Sequence, residues 1–287
     1  MKIEFKVDDQ RCIQCGECVL DCPAGVIVLD NDLPRVSNEA GCIHCQHCLA
    51  ICPTAAISIL GRDPDLSPSL AGLPKPEELE TLIKGRRTIR RYQEQDLAPE
   101  LIDELLNIAC HAPTGVNAES VLFTVVRERA VLDRLREHLI GRVAALKEAG
   151  KLPEGIPGNY LGRVVRAWQE KGQDILFRGA PHLLITSAPA TAPCPVQDAI
   201  IALTTFQMIA HTKGVGTVWD GIFMMALNAC PEVAAELGIP TDHTLGYAMA
   251  FGAPAVEYHR TVQRGPALVN TVGNCPAAPH LGAIGPA

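Results

Sequence analysis

Eight cysteines between residues 12 and 52 repeat one spacing twice. Each copy reads C-x-x-C-x-x-C-x-x-x-C-P, and each cysteine of the first copy recurs 30 positions later. Three thiolates on one tight loop can bind three corners of an iron–sulfur cube, and the fourth thiolate must then come from elsewhere in the chain. The doubled spacing therefore predicts two [4Fe–4S] clusters.

The fourth cysteine of each run decides how the thiolates are shared. In two-cluster ferredoxins this cysteine binds the cluster of the other run. The predicted quartets are Cys12, Cys15, Cys18 and Cys52 for one cube, and Cys22, Cys42, Cys45 and Cys48 for the other. Pro23 and Pro53 follow the two runs and stop any helix or turn there.

Other uses of these cysteines are less consistent with the spacing. Structural zinc favours two separated C-x-x-C pairs, and disulfides need an oxidising compartment that nothing in the sequence indicates. A purely structural cluster remains an alternative, although two adjacent cubes suit electron relay. His44 and His47 lie inside the second run, where the thiolates already complete the ligand set, so we expect them at the surface or tuning the potential.

The overall composition indicates a folded, acidic protein. A length of 287 residues suggests about two domains, and 47% hydrophobic residues with 4% aromatics predict a mainly aliphatic core. The net charge of −7 argues against nucleic acid as a partner. The N-terminal residues alternate charged and apolar types, without the apolar segment of an export signal. The sequence contains no stretch of about 20 apolar residues, so it predicts no membrane span. Because iron–sulfur clusters are predicted in a chain without an export signal, we expect a cytoplasmic protein.

The pattern of residues predicts an α+β chain in four parts. Residues 1–60 form the two-cluster unit, which is too short for a large apolar core. Residues 61–76 contain four prolines and predict a stiff linker. Residues 77–270 form the larger domain, and residues 271–287 a tail. The predicted strands are 3–7, 26–29, 57–60, 120–127, 182–187, 215–219 and 244–251, and the predicted helices are 77–84, 99–109, 130–148, 159–177 and 196–212.

A cluster of arginines gives the second chemical signal. Residues 86–92 read R-R-T-I-R-R-Y, with four arginines in six positions of an acidic chain. Guanidinium groups and a hydroxyl bind phosphate through charge-assisted hydrogen bonds. The segment predicts an anion site, and a solvated charge run at a helix end is the alternative.

This segment resembles the R-R-S-x-R-x-F/Y motif of the nitroreductase family of flavoproteins, and three further motifs follow in order. A-P-T-G-V-N at residues 112–117 resembles the family's A-P-S-x-x-N loop, and G-V-G-T-V-W-D-G-I-F at residues 214–223 resembles its G-L-G-T-x-W-x-G-x-F segment. Residues 258–264 resemble its C-terminal basic stretch. The resemblance covers about residues 77–270. It implies a nitroreductase-like α+β sandwich that binds flavin mononucleotide (FMN) at the interface of an intertwined homodimer.

The resemblance also implies which residues hold the flavin. The phosphate, the ribityl chain and the ring edge would be bound by Arg86, Arg87, Thr88, Arg90, Arg260 and Arg264. Thr114 and Asn117 would approach from the other subunit. Backbone N–H groups of Gly221 and Ile222 would face flavin N5, where a glycine permits close backbone approach.

Two departures from the family pattern limit what is implied about the substrate. Ala118-Glu119-Ser120 stands where the family often has x-Q-P-W, and Asp220 stands where an apolar residue is common. The sequence also lacks a G-x-G-x-x-G dinucleotide fingerprint.

The remaining cysteines, at 110, 194, 230 and 275, are interpreted as buried or incidental thiols. His111 and His211 are interpreted as helix-end residues.

The combined signals predict a flavin oxidoreductase with no required catalytic side chain. Electrons would pass from the clusters to FMN and then to a small electron-poor acceptor, such as a nitro compound, a quinone or an activated alkene. One alternative is an electron-transfer subunit that serves a protein partner. Another is NAD(P)H oxidation with electrons flowing outward through the clusters. The external donor would be a ferredoxin or NAD(P)H.

Overall fold

The computed structural model describes residues 3–273. Its N-terminal unit contains two antiparallel strand pairs, β1 with β4 and β2 with β3. Its elements are β1 (Phe5–Val7), α1 (Glu17–Leu20), β2 (Ile27–Asp30), β3 (Leu33–Val36), α2 (His47–Ala50) and β4 (Ile57–Ile59).

The β2–β3 hairpin includes a strand that the sequence pattern did not predict. Asn31 and Asp32 both have positive φ, at 48° and 66°. These residues form the two-residue turn that such conformations favour between antiparallel strands. Pro34 weakens the sequence signal of β3, but proline is tolerated there because β3 has β2 as its partner on one side only.

Residues 61–76 are mostly irregular, as predicted, with short 3₁₀ turns at Pro64–Leu66 and Leu70–Gly72. The guanidinium of Arg11 donates two hydrogen bonds to Asp65, at 2.9 and 2.7 Å, and so ties the first turn to the N-terminal unit. The domain boundaries themselves stay a prediction.

The larger unit has helices packed on both faces of an antiparallel sheet with strand order β5-β6-β8-β7. Its elements are α3 (Pro76–Gly85), α4 (Pro99–Ala109), β5 (Leu122–Val126), α5 (Arg129–Glu148), α6 (Ile156–Lys171), β6 (His182–Pro189), α7 (Pro195–Thr212), β7 (Gly216–Trp219), α8 (Gly221–Ala229), α9 (Glu232–Glu236) and β8 (His243–Gly252).

The alternation of side chains along the strands divides the core into two layers. Leu183 and Ile185 of β6 pack with α5, α6 and α8 on one face. Leu184 of β6 and Phe251 of β8 pack with α4 and α7 on the other face. Successive strand side chains point to opposite faces, so the apolar run in β6 serves both layers and explains its nearly complete burial.

One helix prediction needs correction, and two short helices were missed. The helix predicted for residues 159–177 spans Ile156–Lys171, because Gly172 adopts a left-handed conformation with φ of 58° and ends it. The Asp174 carboxylate then accepts hydrogen bonds from the N–H groups of Phe177 and Gly179, at 2.9 and 3.0 Å, and stabilises a buried loop. The short helices α8 and α9 were not predicted.

Within residues 3–273, none of the helices combines the length and the apolar character needed to cross a lipid bilayer. Most of the predicted tail, including Cys275, lies outside the described residues.

Candidate functional site

The structure brings the eight cysteines together in two groups of four. One cavity is lined by Cys12, Cys15, Cys18 and Cys52, and the other by Cys22, Cys42, Cys45 and Cys48. In each group, three cysteines come from one run and the fourth from the other run. The donor set fits two iron–sulfur cubes, and the assignment of individual ligands stays a prediction.

Left-handed backbone conformations shape both cysteine loops. Gln14 and His44, which are equivalent in the repeat, each have a φ of 58°. Gly16 and Gln46 are equivalent as well, with φ of 75° and 59°. Such conformations cost a non-glycine residue about 1 kcal/mol or more. They let the chain curl so that three cysteines line one cavity.

Burial makes a lone thiolate unfavourable at the innermost positions. It raises the pKa of Cys48 to about 12 and also raises the pKa of Cys18. Bound iron would supply the positive charge that a buried thiolate needs, so loading of the clusters would release protons. The N–H of Ala56 donates a hydrogen bond to Cys52 Sγ at 3.2 Å, a contact of the kind that tunes cluster potential.

Arginines converge on a cleft of the larger unit. Arg86, Arg87 and Arg264 line this cleft, which has a volume of about 750 Å³ and also contacts Lys84. Burial lowers the pKa of Arg86, and the charges of Arg87 and Arg264 lower it further. Collected positive charge in a cleft favours an anion, and the volume lies in the range of small-molecule sites.

The sheet edge positions the arginine segment. The N–H of Ile89 donates a hydrogen bond to the carbonyl of Thr217 at 2.9 Å, and Thr88 forms a parallel bridge with the same residue of β7. Ile89 and Tyr92 are buried, whereas Arg90 is exposed. The segment is therefore anchored by its apolar residues along β7, directly after the end of α3.

Several neighbours of the cleft were not assigned to the site from the sequence. Met208 of α7 and Gln263 line it. His211 lies one turn after Met208, and burial lowers its pKa, with a further contribution from Arg86 and Arg87. His211 was predicted only as a helix-end residue, and no local sequence pattern indicates its proximity to the arginines.

The other predicted flavin residues do not line this cleft within one chain. Arg90 and Arg260 are exposed outside it. Thr114 lines a separate pocket of about 150 Å³. The Asn117 amide donates hydrogen bonds to the Ile43 carbonyl at 3.3 Å and to Glu119 at 2.9 Å.

Gly221 and Ile222 begin α8, where Asp220 is the N-cap. The Asp220 carboxylate accepts a hydrogen bond from the N–H of Phe223 at 2.9 Å, while its Oδ2 has no partner among the described residues. Burial raises the pKa of Asp220 to about 7. A Cβ at Gly221 would lie 2.7 Å from the Tyr247 hydroxyl, so a larger residue there would have to displace the Tyr247 side chain.

The chain joins two cysteine quartets to a helix–sheet–helix sandwich that has an arginine cleft. This combination defines an iron–sulfur oxidoreductase. The nitroreductase family model matches residues 83–253, and a 4Fe-4S dicluster domain matches residues 11–57. The chain belongs to the nitroreductase family. The predicted family, fold class and enzyme class are thereby confirmed.

Two relatives illustrate the similarity. A protein of Methanothermobacter thermautotrophicus, named as a predicted NADH dehydrogenase/NAD(P)H nitroreductase, is 30% identical over 60% of this chain and 75% of its own length. A 4-nitrobenzoate reductase of Nocardioides sp. is 23% identical over 66% of this chain and 85% of its own length.

A solved structure has the same fold. The nitroreductase with bound FMN from Bacteroides fragilis aligns with a TM-score of 0.54 and 23% identity, over 69% of this chain and all of its own. The predicted cofactors, [4Fe–4S] clusters and FMN, agree with the dicluster domain and with this FMN-bound structure.

Proposed function

We propose that this chain is an FMN-dependent oxidoreductase that reduces a small electron-poor acceptor with electrons relayed from two [4Fe–4S] clusters. The observation that carries the proposal is the arginine cleft, joined in one chain to two cysteine quartets. Bound FMN supplies a group that takes up single electrons and delivers a pair as hydride. The chain's own residues bind and orient the cofactors.

The arginines would hold the phosphate end of FMN. Arg86, Arg87 and Arg264 present three guanidinium groups that repel one another in the absence of an anion. A phosphate would relieve this repulsion and accept charge-assisted hydrogen bonds from them. Thr88 follows Arg87 in the chain and pairs with Thr217 of β7, and it would contact the ribityl chain.

A second copy of the chain would complete the site. Thr114 and Asn117 lie away from the arginine cleft of their own chain. The helix α7 leaves an exposed stripe that includes Val196, Ile200 and Ile201, although its opposite face is in the core. An exposed apolar stripe on a central helix favours association. We infer a homodimer in which each chain contributes residues to its partner's flavin, and sizing in solution tests this state.

We infer the acceptor class from the chemistry of bound FMN, which needs no side-chain acid or nucleophile, and a relative supports it. The similarity to the 4-nitrobenzoate reductase supports a nitro compound as the acceptor. Quinones and activated alkenes share the electron-poor character of nitro compounds. Asp220 and residues 118–120 depart from the family pattern, so acceptor preference is to be measured by a substrate screen.

A second function, electron exchange with a protein partner, is favoured by the accessibility of the first cysteine loop. Ile13 is 63% exposed and Cys15 is exposed as well. The same path could carry electrons outward if NAD(P)H reduces the flavin. Steady turnover of a small acceptor supports the enzyme, whereas electron exchange with a protein alone supports the second function.

An anaerobic titration of the purified protein tests the proposal. NADH, NADPH and a reduced low-potential ferredoxin are added separately while flavin and cluster absorbance are recorded. We expect one reductant to bleach both sets of bands, and FMN to be released on denaturation. A protein that shows only cluster absorbance and releases no flavin would refute the proposed function.

The Arg264→Ala variant tests the phosphate site directly. Loss of a charge-assisted contact should weaken FMN binding about tenfold or more, measured by flavin fluorescence at several salt concentrations. Arg134→Ala removes the same charge from the exposed face of α5 and is the matched control. Equal FMN affinity in the two variants would remove Arg264 from the site.

A further inference from the structure

We propose that the cluster held by Cys22, Cys42, Cys45 and Cys48 is the one adjacent to the flavin, and that residues 42–45 dock on residues 114–119 to place it there. The other cluster then occupies the solvent end of the path. This inference rests on the proposed function, because residues 114–119 carry the two side chains assigned to the partner's flavin.

A direct contact joins the two units at this point. The Asn117 side-chain amide donates a hydrogen bond to the carbonyl of Ile43 at 3.3 Å, across 74 positions of sequence. Ile43 lies between Cys42 and Cys45 and lines the same cavity as these two cysteines. The contact therefore reaches the immediate surroundings of one cluster.

The cysteine repeat provides an internal comparison. Ile13 is the repeat equivalent of Ile43, and Cys15 that of Cys45. Ile13 and Cys15 are exposed, whereas Ile43 and Cys45 are partly covered. The two loops share their spacing and their left-handed conformations, and the Asn117 contact at Ile43 is one source of the difference in exposure.

The receiving loop is held in an unusual shape. Val116, Asn117 and Glu119 have positive φ, at 47°, 55° and 47°. The buried Asp198 carboxylate anchors the loop by accepting hydrogen bonds from the N–H of Gly115, at 3.0 and 3.2 Å. Backbone strain of this kind persists where the surroundings enforce it, often at functional sites.

The docking gives the relay an order. A one-electron donor of the ferredoxin class would reduce the solvent-end cluster and would itself be oxidised. Each electron would then pass to the second cluster and on to the flavin, so that each reduced cluster would be reoxidised in turn. Two such transfers with a proton from water would supply one hydride equivalent to the acceptor. The contact between residues 42–45 and 114–119 thus sets the order of the centres along the path.

Hydrogen exchange tests the docking without relying on activity. In the complete protein, amides of residues 42–48 should exchange more slowly than those of residues 12–18, because the clusters protect both loops and only the second is docked. Asn117→Ala should speed exchange in residues 42–48 and 114–119 and leave residues 12–18 unchanged. Equal exchange of the two loops in the unmodified protein would overturn the docking.

Matched substitutions at the repeat positions test the order of the clusters. Ile43→Glu and Ile13→Glu place the same charge beside equivalent cavities. After rapid reduction of the clusters, Ile43→Glu should slow flavin reduction about tenfold, since misplacement of reacting groups is costly. Ile13→Glu should leave this step within about twofold of the unmodified rate, and should instead slow cluster reduction by the donor protein.

The outcomes separate the two proposals. An Ile13→Glu variant that slows flavin reduction as much as Ile43→Glu would overturn the assigned order. FMN content is measured on each variant, so a lost cofactor is not mistaken for a slowed transfer. A protein without bound flavin would refute the proposed function, whereas the exchange comparison would still decide the docking.

Discussion

Asp220 is a carboxyl group whose titration changes strongly on folding. It is buried at the start of α8, caps that helix through Phe223, and leaves Oδ2 without a partner among the described residues. Burial raises its pKa from 3.8 to about 7. The sequence showed only that an unusual residue type stands beside Gly221.

We predict that Asp220 makes the larger unit less stable as the pH rises. A carboxyl group whose folded pKa is raised binds a proton more tightly in the folded state, so its stabilising contribution is present at low pH. It is lost between its ordinary pKa of 3.8 and its folded pKa of about 7. The maximum slope is about 1.4 kcal/mol per pH unit.

Thermal unfolding of Asp220→Asn between about pH 5 and pH 7 measures this effect. The amide retains an oxygen that can accept the Phe223 N–H. The variant should become increasingly more stable than the unmodified protein as the pH rises. Asp242→Asn, an exposed substitution with the same charge change, controls for net charge. A difference in melting temperature that is constant with pH would contradict the prediction.

The pairing of residues 86–92 with β7 is the element-scale feature that positions the arginines. Gly216 begins β7, and a Cβ there would lie 2.6 Å from Ile89 Cγ1 and 2.9 Å from Ile89 Cβ. The chain therefore needs a glycine to let the arginine segment approach the strand. The motif showed this glycine, but the packing reason appears only when the two segments meet.

Gly216→Ala should lower the free energy of unfolding by about 1–3 kcal/mol, because the added methyl group overpacks against Ile89. It should also weaken FMN binding, since displacement of Ile89 moves Thr88 and the arginines.

Gly141→Ala is the matched control for Gly216→Ala. It lies in the exposed middle of α5 with open space around it, and should stabilise the helix by about 0.5–1 kcal/mol. Thermal unfolding and flavin fluorescence distinguish these effects, and equal stability of the two variants would contradict this packing argument.

At the scale of the whole molecule, separate hydrophobic cores support the two units. The larger unit has extensive apolar layers on both faces of its sheet. The N-terminal unit has a small core in which Cys18 and Cys48 are themselves buried members. Its stability must therefore depend on the clusters, as in small domains that are held together by metal.

Removal of iron with a chelator under reducing conditions should unfold residues 3–60 selectively. Limited proteolysis should then cut within this unit, while residues 77–270 remain resistant and retain FMN. Reconstitution with iron and sulfide should restore the resistance of the N-terminal unit. Resistance of residues 3–60 in the iron-free protein, or loss of both units together, would contradict this prediction.

The sequence by itself determined the cluster chemistry, the family and most of the helices and strands. The cysteine spacing is local and leaves few alternatives, and the helix α4 begins and ends at the predicted residues because proline and periodicity mark it clearly. The helix α6 was predicted too long and β3 was missed, since a left-handed glycine and a tight turn interrupt patterns that apolar periodicity alone would continue.

Only the tertiary structure decided which distant groups meet. Burial of Asp220 and contact of Asn117 with Ile43 depend on how separate elements pack, and neither is encoded in a local pattern. The resemblance implied a shared site for Arg86 and Arg264, and the fold accounts for it by bringing both to one cleft. The repeated cysteine loops show this most directly. They share their cysteine spacing and the isoleucine after the first cysteine, yet Ile43 is partly covered and Ile13 is exposed, because the environment of a residue is set by its neighbours in space.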